Sequence, residues 1–198
     1  NLLGKVDLKK CIMQVNDEVF RLPLPGRHNA KNLIIAIAVA KEFGISFNTM
    51  SKLRIQLPEG RSSALKIGDI TVLDETYNSS PEAVKSSLEL LANTPGRHFA
   101  VLGTMLELGE HSMSLHREVV EYASKLGLDG LVVVAEGKEA DVMKLEAKNF
   151  SKFEIASTPE KALVPLRSWL RPGDTVLLKA SRAIALEKLL FLMKEIYS

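Results

Sequence analysis

The chain has few of the features that announce a chemistry. Cys11 is its one cysteine, so no intrachain disulfide can form, and a reducing, cytoplasmic setting is expected. Cys11 lies in a strand-like run, where an inert, half-buried thiol is expected rather than a nucleophile. The 26 Lys and Arg nearly cancel the 24 Asp and Glu, and the two signs are interspersed. Nothing therefore points to nucleic acid or to a charged membrane surface. No apolar run approaches the roughly 20 residues that a membrane span needs. No basic-then-apolar leader opens the chain. The pattern Gly-x-x-x-x-Gly-Lys-Ser/Thr is absent, so the chain carries no phosphate-cradling P-loop. No Gly-x-Gly-x-x-Gly follows the first strand of the main domain, which argues against a nicotinamide dinucleotide site. His28, His98, His111 and His116 lack a zinc spacing, and surface or capping roles are expected for the last two. The chain starts without Met and directly in strand-like sequence, as a piece of a longer protein would.

What remains is ordinary globular sequence, 198 residues at 46% hydrophobic and 25% charged, enough for one large domain or a domain plus part of another. Cys11 to Val15 and Glu18 to Leu22 flank Asn16-Asp17, a pair suited to a hairpin turn. Asn29 can cap a helix with Leu33, Ile34, Ile37 and Ala40 on one face, ending near Gly44. A short helix over Thr49 to Leu53 follows, then a linker, Leu57-Pro58-Glu59-Gly60. The domains expected are residues 1–60 and 61–198.

From Ile67 onward strands and helices alternate. Strands are predicted at Ile70 to Leu73, Phe99 to Leu102, Leu131 to Ala135, Phe153 to Ala156 and Thr175 to Lys179. Ser80-Pro81 and Thr158-Pro159 each supply a cap and a first-turn proline for a helix, and Pro165 is expected to kink or split the second. A further helix carries Leu115, Val119, Tyr122, Ala123 and Leu126 and closes at Gly127, and the last runs from about Arg182 to Tyr197. The fold class is α/β: a Rossmann-like, doubly wound, mainly parallel sheet.

In such sheets ligands bind beyond the carboxyl ends of the strands. Three segments fall there. Asp74-Glu75-Thr76-Tyr77-Asn78 follows the first strand and places an acid, a phenol and an amide beside a helix start. Asp74 suits ribose hydroxyls, or is a plain turn acid. Gly103 to Glu110 follows the second strand, with Glu107 and Glu110 as candidates for a substrate ammonium or as surface acids. Lys179-Ala180-Ser181-Arg182 follows the last strand and suits a carboxylate or phosphate at a helix start. Outside the sheet, Asn29 and Asn32 stand i, i+3 on a first helical turn, where two amides can meet a purine edge. A cap at Asn29 and a solvated Asn32 is the simpler reading of that pair by itself. Arg61, after Gly60, can reach a phosphate or stay solvated.

Together these residues resemble the bacterial Mur ligases. Pro25-Gly26-Arg27-His28-Asn29-Ala30-Lys31-Asn32 resembles the family's adenine-contacting element, and Gly60-Arg61 its hinge arginine. Asp74, Tyr77, Asn78 and Pro81 resemble the Asp-x-Tyr-Asn-x-x-Pro pattern of the branch that adds D-alanyl-D-alanine; other branches usually have His where Asn78 stands. Met105-Leu106-Glu107-Leu108-Gly109-Glu110 and Lys179 to Arg182 are similar to two further elements of that branch, with two departures: Thr104 for Asp and Ala180 for Gly. The resemblance implies that residues 1–60 are the tail of the central ATPase domain and 61–198 the C-terminal domain. It implies ATP contacts at Asn29, Asn32, Arg61 and Asp74, and substrate contacts at Tyr77, Asn78, Lys179, Ser181 and Arg182. ATP and Mg2+ would be the cofactors, with the main phosphate and metal ligands outside this chain. UDP-MurNAc-tripeptide and D-Ala-D-Ala would be the substrates of a monomeric, cytoplasmic enzyme. No catalytic residue is assigned within the chain, which is expected to be inactive alone. The alternatives are another Mur-type or folylpolyglutamate-synthetase-like amide ligase, or a non-catalytic Rossmann-like binding module.

Overall fold

The computed structural model describes residues 3–8, 10–22, 26–52, 60 and 63–197, in two compact units, 1–58 and 59–198. Arg61 and the expected linker residues 57–59 lie outside the described residues.

The first unit is an antiparallel meander, β1 (Gly4–Asp7), β2 (Ile12–Val15) and β3 (Glu18–Arg21), with helices α1 (Arg27–Glu42) and α2 (Phe47–Ser51). The expected hairpin forms: Val15 pairs with Glu18 across Asn16-Asp17, and Asn16 takes φ +53°, a left-handed value that Asn tolerates. Met13, Val15 and Phe20 alternate inward against Ile37 of α1 and Met50 of α2. Cys11 is half-buried as expected, although it sits in the turn before β2 rather than in the strand. Asn29 does not cap α1. The helix starts two residues earlier, after Gly26 at φ +112°, and Asn29 falls within its first turn. The second helix likewise starts earlier than expected, because Ser46 caps it by accepting from the Thr49 amide.

The second unit is built on a six-stranded sheet. In chain order the strands are β4 (Ser63–Ile67), β5 (Ile70–Glu75), β6 (His98–Gly103), β7 (Gly130–Val134), β8 (Phe153–Ala156) and β9 (Thr175–Lys179). Their spatial order is β4-β5-β9-β6-β7-β8, and all neighbours are parallel except β4 with β5. Strand alternation sends successive residues to opposite faces. Leu73, Leu102 and Leu177 pack against α3 (Pro81–Ala92), α4 (Ser112–Lys125) and α5 (Gly137–Glu146) through Leu88, Val119 and Met143. Val72, Val101 and Val176 pack on the other face against α6 (Pro159–Trp169) and α7 (Glu187–Tyr197) through Leu166 and Leu189. Burial on both faces is why β7 and the Val176, Leu177 and Leu178 centre of β9 read as apolar runs without alternation.

The Rossmann-like, mainly parallel sheet is therefore as expected, with one strand more. Three details differ. Pro165 lies inside α6 without splitting it; it sits on a partly exposed flank, while Ala162 and Leu166 hold the helix to the core. The last helix starts at Glu187 rather than near Arg182. Arg182–Ile184 is a single 3-10 turn, and Ala185 at φ +55° breaks the path. His116 is fully buried, not a surface residue.

The chain order decides where a ligand can sit. From β5 the chain passes through α3 to β6, and only at the end does β9 insert between them. The helix after β9 lies on the face opposite α3 and α4. Chains leave neighbouring strands to opposite faces on both sides of β9, and the crevice of a doubly wound sheet opens at such a switch point.

Candidate functional site: the carboxyl edge around β9

Asp74 and Glu75 end β5. Asp74 is buried, and its Oδ1 accepts from the Thr76 amide at 3.1 Å and the Thr76 hydroxyl at 2.7 Å. This tight turn, of the kind Asp forms with the backbone two residues on, fixes the carboxylate and turns the chain sharply after the strand. Gly60 packs beneath the turn at φ +73°, its carbonyl accepting from the Tyr77 amide at 3.0 Å. A Cβ there would stand 2.9 Å from Thr76 Oγ1, so glycine is required for both conformation and space. Asn78 Oδ1 accepts from the Ser79 amide at 2.8 Å, and Ser80 caps α3 by accepting from the Ala83 amide. The expected loop and helix start are thus both present.

Lys179, at the end of β9, lies beside Glu75 in the sheet register. It is 3% exposed, with Nζ 3.5 Å from Glu75 Oε2 and donating to the Asn78 carbonyl at 3.1 Å. Lys179 therefore holds the 75–78 loop against β9 from within instead of projecting into the crevice. Burial pushes its pKa below the ordinary 10.5, and Glu75 opposes the shift. Its proton is bound less tightly in the folded than in the unfolded chain. The resulting penalty is fully imposed below the lowered value and fully relieved above 10.5. Wild type should accordingly gain stability relative to Lys179→Met as pH rises towards 10.5. Denaturant titrations across that range check this; a difference independent of pH would mean that the ammonium is not desolvated.

Ser181 and Arg182 follow. Ser181 is buried, and its Oγ accepts from the Leu106 amide at 2.9 Å while its own amide donates to the Thr104 carbonyl at 3.4 Å. Arg182 keeps 63% of its side-chain surface exposed, lies 5.8 Å from the centre of the Tyr77 ring, and reaches Glu187 Oε1 at 3.8 Å. The structure thus joins Tyr77, Asn78, Lys179, Ser181 and Arg182 through the loops after β5, β6 and β9. Since α7 begins only at Glu187, the Lys179 to Arg182 cations do not stand at a helix N-terminus, contrary to expectation.

The two departures from the family pattern have simple outcomes. Thr104 contributes its backbone, donating to Val134 O at 3.2 Å and accepting from Ser181. The Ala180 methyl fits because residue 103 is glycine: a Cβ on Gly103 would lie 2.5 Å from it. Glu107 is exposed at φ +63°, and Glu110 is exposed beside His111 at 3.7 Å.

One residue differs from its expected role and two others carried no signal in the sequence. His116, on α4, accepts the Met105 amide at 2.9 Å. Ser79 Oγ and Glu187 Oε2 are buried without a hydrogen-bond partner among the described residues. In the first unit, half-buried Asn29 and exposed Asn32 share a helix face. They lie on the opposite side of α1 from a cavity of about 400 Å³ lined by Gly4, Val6, Met13, Arg27, Lys31 and Ile34.

The family profile described as Mur ligase, glutamate ligase domain, matches residues 60–182, a span that includes all three crevice loops. The chain belongs to the Mur ligase family. It is 40% identical over 168 residues to the UDP-N-acetylmuramoyl-tripeptide--D-alanyl-D-alanine ligase of Synechocystis, covering 83% of this chain and 37% of that protein. The ligase of the same name from Mycobacterium leprae is 33% identical over 188 residues, covering 84% of this chain and 36% of that protein. Among solved structures, MurF ligase from Thermotoga maritima in complex with ADP superposes with a TM-score of 0.75 at 28% identity, over 98% of this chain and 45% of that one. This Mur ligase chain thus spans less than half the length of each of these three relatives. No helix among its described residues is long and apolar enough to cross a membrane.

Proposed function

We propose that the chain is the acceptor-binding part of an ATP-dependent ligase that joins D-Ala-D-Ala to UDP-MurNAc-tripeptide. The observation that carries this reading is the crevice within the family-matched span, where an exposed Arg182 lies over Tyr77 and follows Ser181, whose hydroxyl is held by the Leu106 amide. A guanidinium and a hydroxyl donor suit the carboxylate of a dipeptide. Residues 1–60 are the end of the central ATP-binding domain and 61–198 the C-terminal domain.

In this reading ATP phosphorylates the terminal carboxylate of the tripeptide. The dipeptide amine attacks the resulting acyl phosphate, a C–N bond forms, and phosphate leaves from a tetrahedral intermediate. Arg182 and Ser181 orient the dipeptide. Lys179 acts from behind, holding the loop that carries Tyr77 and Asn78. The fixed Asp74 carboxylate suits a ribose hydroxyl, Asn29 and Asn32 the base, and Arg61 a phosphate. Charge on a transferring phosphoryl group calls for Mg2+. In this reading the main ligands of that ion lie outside this chain, and among the described residues no group of three His, Cys, Asp or Glu could hold a metal. The enzyme is proposed to act in the cytoplasm, as a monomer.

The full-length parent enzyme, offered D-Ala-D-Ala, meso-diaminopimelate and D-Glu, should use only the first. The 198-residue chain alone should not ligate, and robust turnover by it would overturn the division of labour. In the full-length enzyme Arg182→Ala should raise KM for D-Ala-D-Ala about tenfold or more, the loss of one charged hydrogen bond. KM for ATP should hardly move; loss of ATP binding instead would reassign this loop to the nucleotide.

A further inference from the structure

We propose that His116 is a positioning residue for the acceptor site, acting on Ser181 through the Met105–Leu106 peptide. The inference rests on the reading of Ser181 as a dipeptide contact.

The segment after β6 has no regular structure until the 3-10 turn Gly109–His111, so its backbone donors need partners from elsewhere. Two consecutive amides find different ones. The Met105 N–H donates to His116 Nε2 at 2.9 Å, and the Leu106 N–H donates to Ser181 Oγ at 2.9 Å. Because a backbone amide can only donate, Nε2 of His116 carries no proton. Nδ1 therefore does, and it donates to the Ser112 carbonyl at 2.8 Å. The ring is fully buried, neutral and held in one tautomer by both nitrogens. The anchor extends further, since Ser112 Oγ donates to Glu139 Oε1 of α5 at 3.1 Å. Met105 is itself buried, whereas Leu106 and Glu107 face solvent and Glu107 adopts a left-handed conformation. The ring thus pins the one residue from which an otherwise exposed turn hangs.

The consequence reaches Ser181. By accepting from Leu106, its hydroxyl oxygen fills one lone-pair direction and keeps its single O–H to donate to a ligand oxygen. The direction of that O–H follows from where the Leu106 amide sits. That amide is one peptide from the atom His116 holds. His116 touches no ligand in this arrangement; it sets the donor direction of a residue that does.

Two substitutions separate the two ring nitrogens. Asn at 116 can keep a donor for the Ser112 carbonyl but reaches nothing at the Nε2 position. Gln extends to the Nε2 position with an amide oxygen that can accept from Met105. In the full-length ligase, H116N should raise KM for D-Ala-D-Ala about tenfold, the worth of a buried hydrogen bond with its orphaned partner. KM for ATP should stay put, and H116Q should restore most of the loss. Ser181→Ala should reproduce the dipeptide effect. Amide hydrogen exchange on the 198-residue chain supplies a readout independent of substrate. H116N should expose the Met105 and Leu106 amides while β6 and β9 stay protected, and S181A should expose Leu106 alone.

An H116N enzyme with unchanged dipeptide KM, or with both KM values raised in parallel, overturns the proposal. So does unchanged protection at Met105. If H116N does not fold, H116Q decides: loss of dipeptide affinity with Met105 still protected is equally fatal. Wild-type enzyme that ignores D-Ala-D-Ala would instead defeat the substrate reading, and the exchange pattern would then judge the positioning by itself.

Discussion

Replacing Asp174 by Ala is expected to destabilise the second unit by about 3 kcal/mol, the low end for breaking a buried ion pair. Asp174 is 3% exposed at the amino end of β9. Its Oδ1 accepts from Arg97 Nε at 3.0 Å, and its Oδ2 accepts from Arg97 Nη2 at 2.7 Å and from the Arg171 amide at 2.6 Å. Arg97 also donates to the Trp169 carbonyl at 2.8 Å and stacks 5.1 Å from the centre of the Phe99 ring. One carboxylate thus fastens the end of α6, the turn into β9 and the entry to β6. Its removal leaves a guanidinium and a backbone amide without their acceptor, and an uncompensated charge costs more than the pair contributed. The Arg97 side chain retains 31% of its exposure, so water recovers part of the loss, which sets the estimate low. Asp174→Asn should fall between, because one acceptor oxygen survives without the charge. Equilibrium urea unfolding measures both variants. A loss below about 1 kcal/mol for the alanine variant would mean that the pair behaves as a solvated surface bridge.

The second large effect concerns a contact of one methyl. Gly103→Ala should cost about 1–3 kcal/mol through overpacking. Its Cβ would stand 2.5 Å from the Ala180 methyl and 3.1 Å from Ile184 Cγ2, both fully or largely enclosed. Neither neighbour is the loose end of a flexible side chain, and Ala180 is fully buried. The strain therefore passes into the backbone after β9, where Ser181 and Arg182 are carried. Ala180→Gly in the same molecule removes the clashing atom and should recover most of the loss. A double-mutant cycle should give a coupling of about 1 kcal/mol or more in favour of the pair. Strict additivity would show that β9 and β6 do not meet at these two positions. The alanine at 180 is thus tolerated through its partner.

Where structure follows from a few adjacent residues, the sequence was sufficient. Ser80-Pro81 and Thr158-Pro159 start α3 and α6 where expected, because a hydroxyl cap and a first-turn proline act within one turn. β8 and β9 fall on their predicted bounds, and Asn16-Asp17 makes its hairpin. β4 was missed: it is a short edge strand, Ser63–Ile67, with a mixed pattern, and what marks it is its antiparallel pairing to β5. The start of α7 was misplaced because the apolar residues after Arg182 fit a helix locally, while the buried Leu186 and left-handed Ala185 impose a turn. Asn29 suits a cap by local preference alone, whereas Gly26 occupies that position in the folded chain.

The same division holds for the site. The residue types at three strand ends, and the family they resemble, were readable from the sequence alone, as was a mainly parallel sheet with those residues at its carboxyl edge. Only the tertiary structure decided that β9 enters between β5 and β6, and so joined loops whose bonded residues stand 75 and 101 positions apart. It made Lys179, expected at the substrate, a buried clamp on Asn78, and His116, expected in a surface or capping role, the anchor of Met105. The physical reason is range. Caps, turns and strand periodicity act over a handful of neighbouring residues, whereas burial and hydrogen-bond partnership at this crevice depend on which distant strand lies alongside.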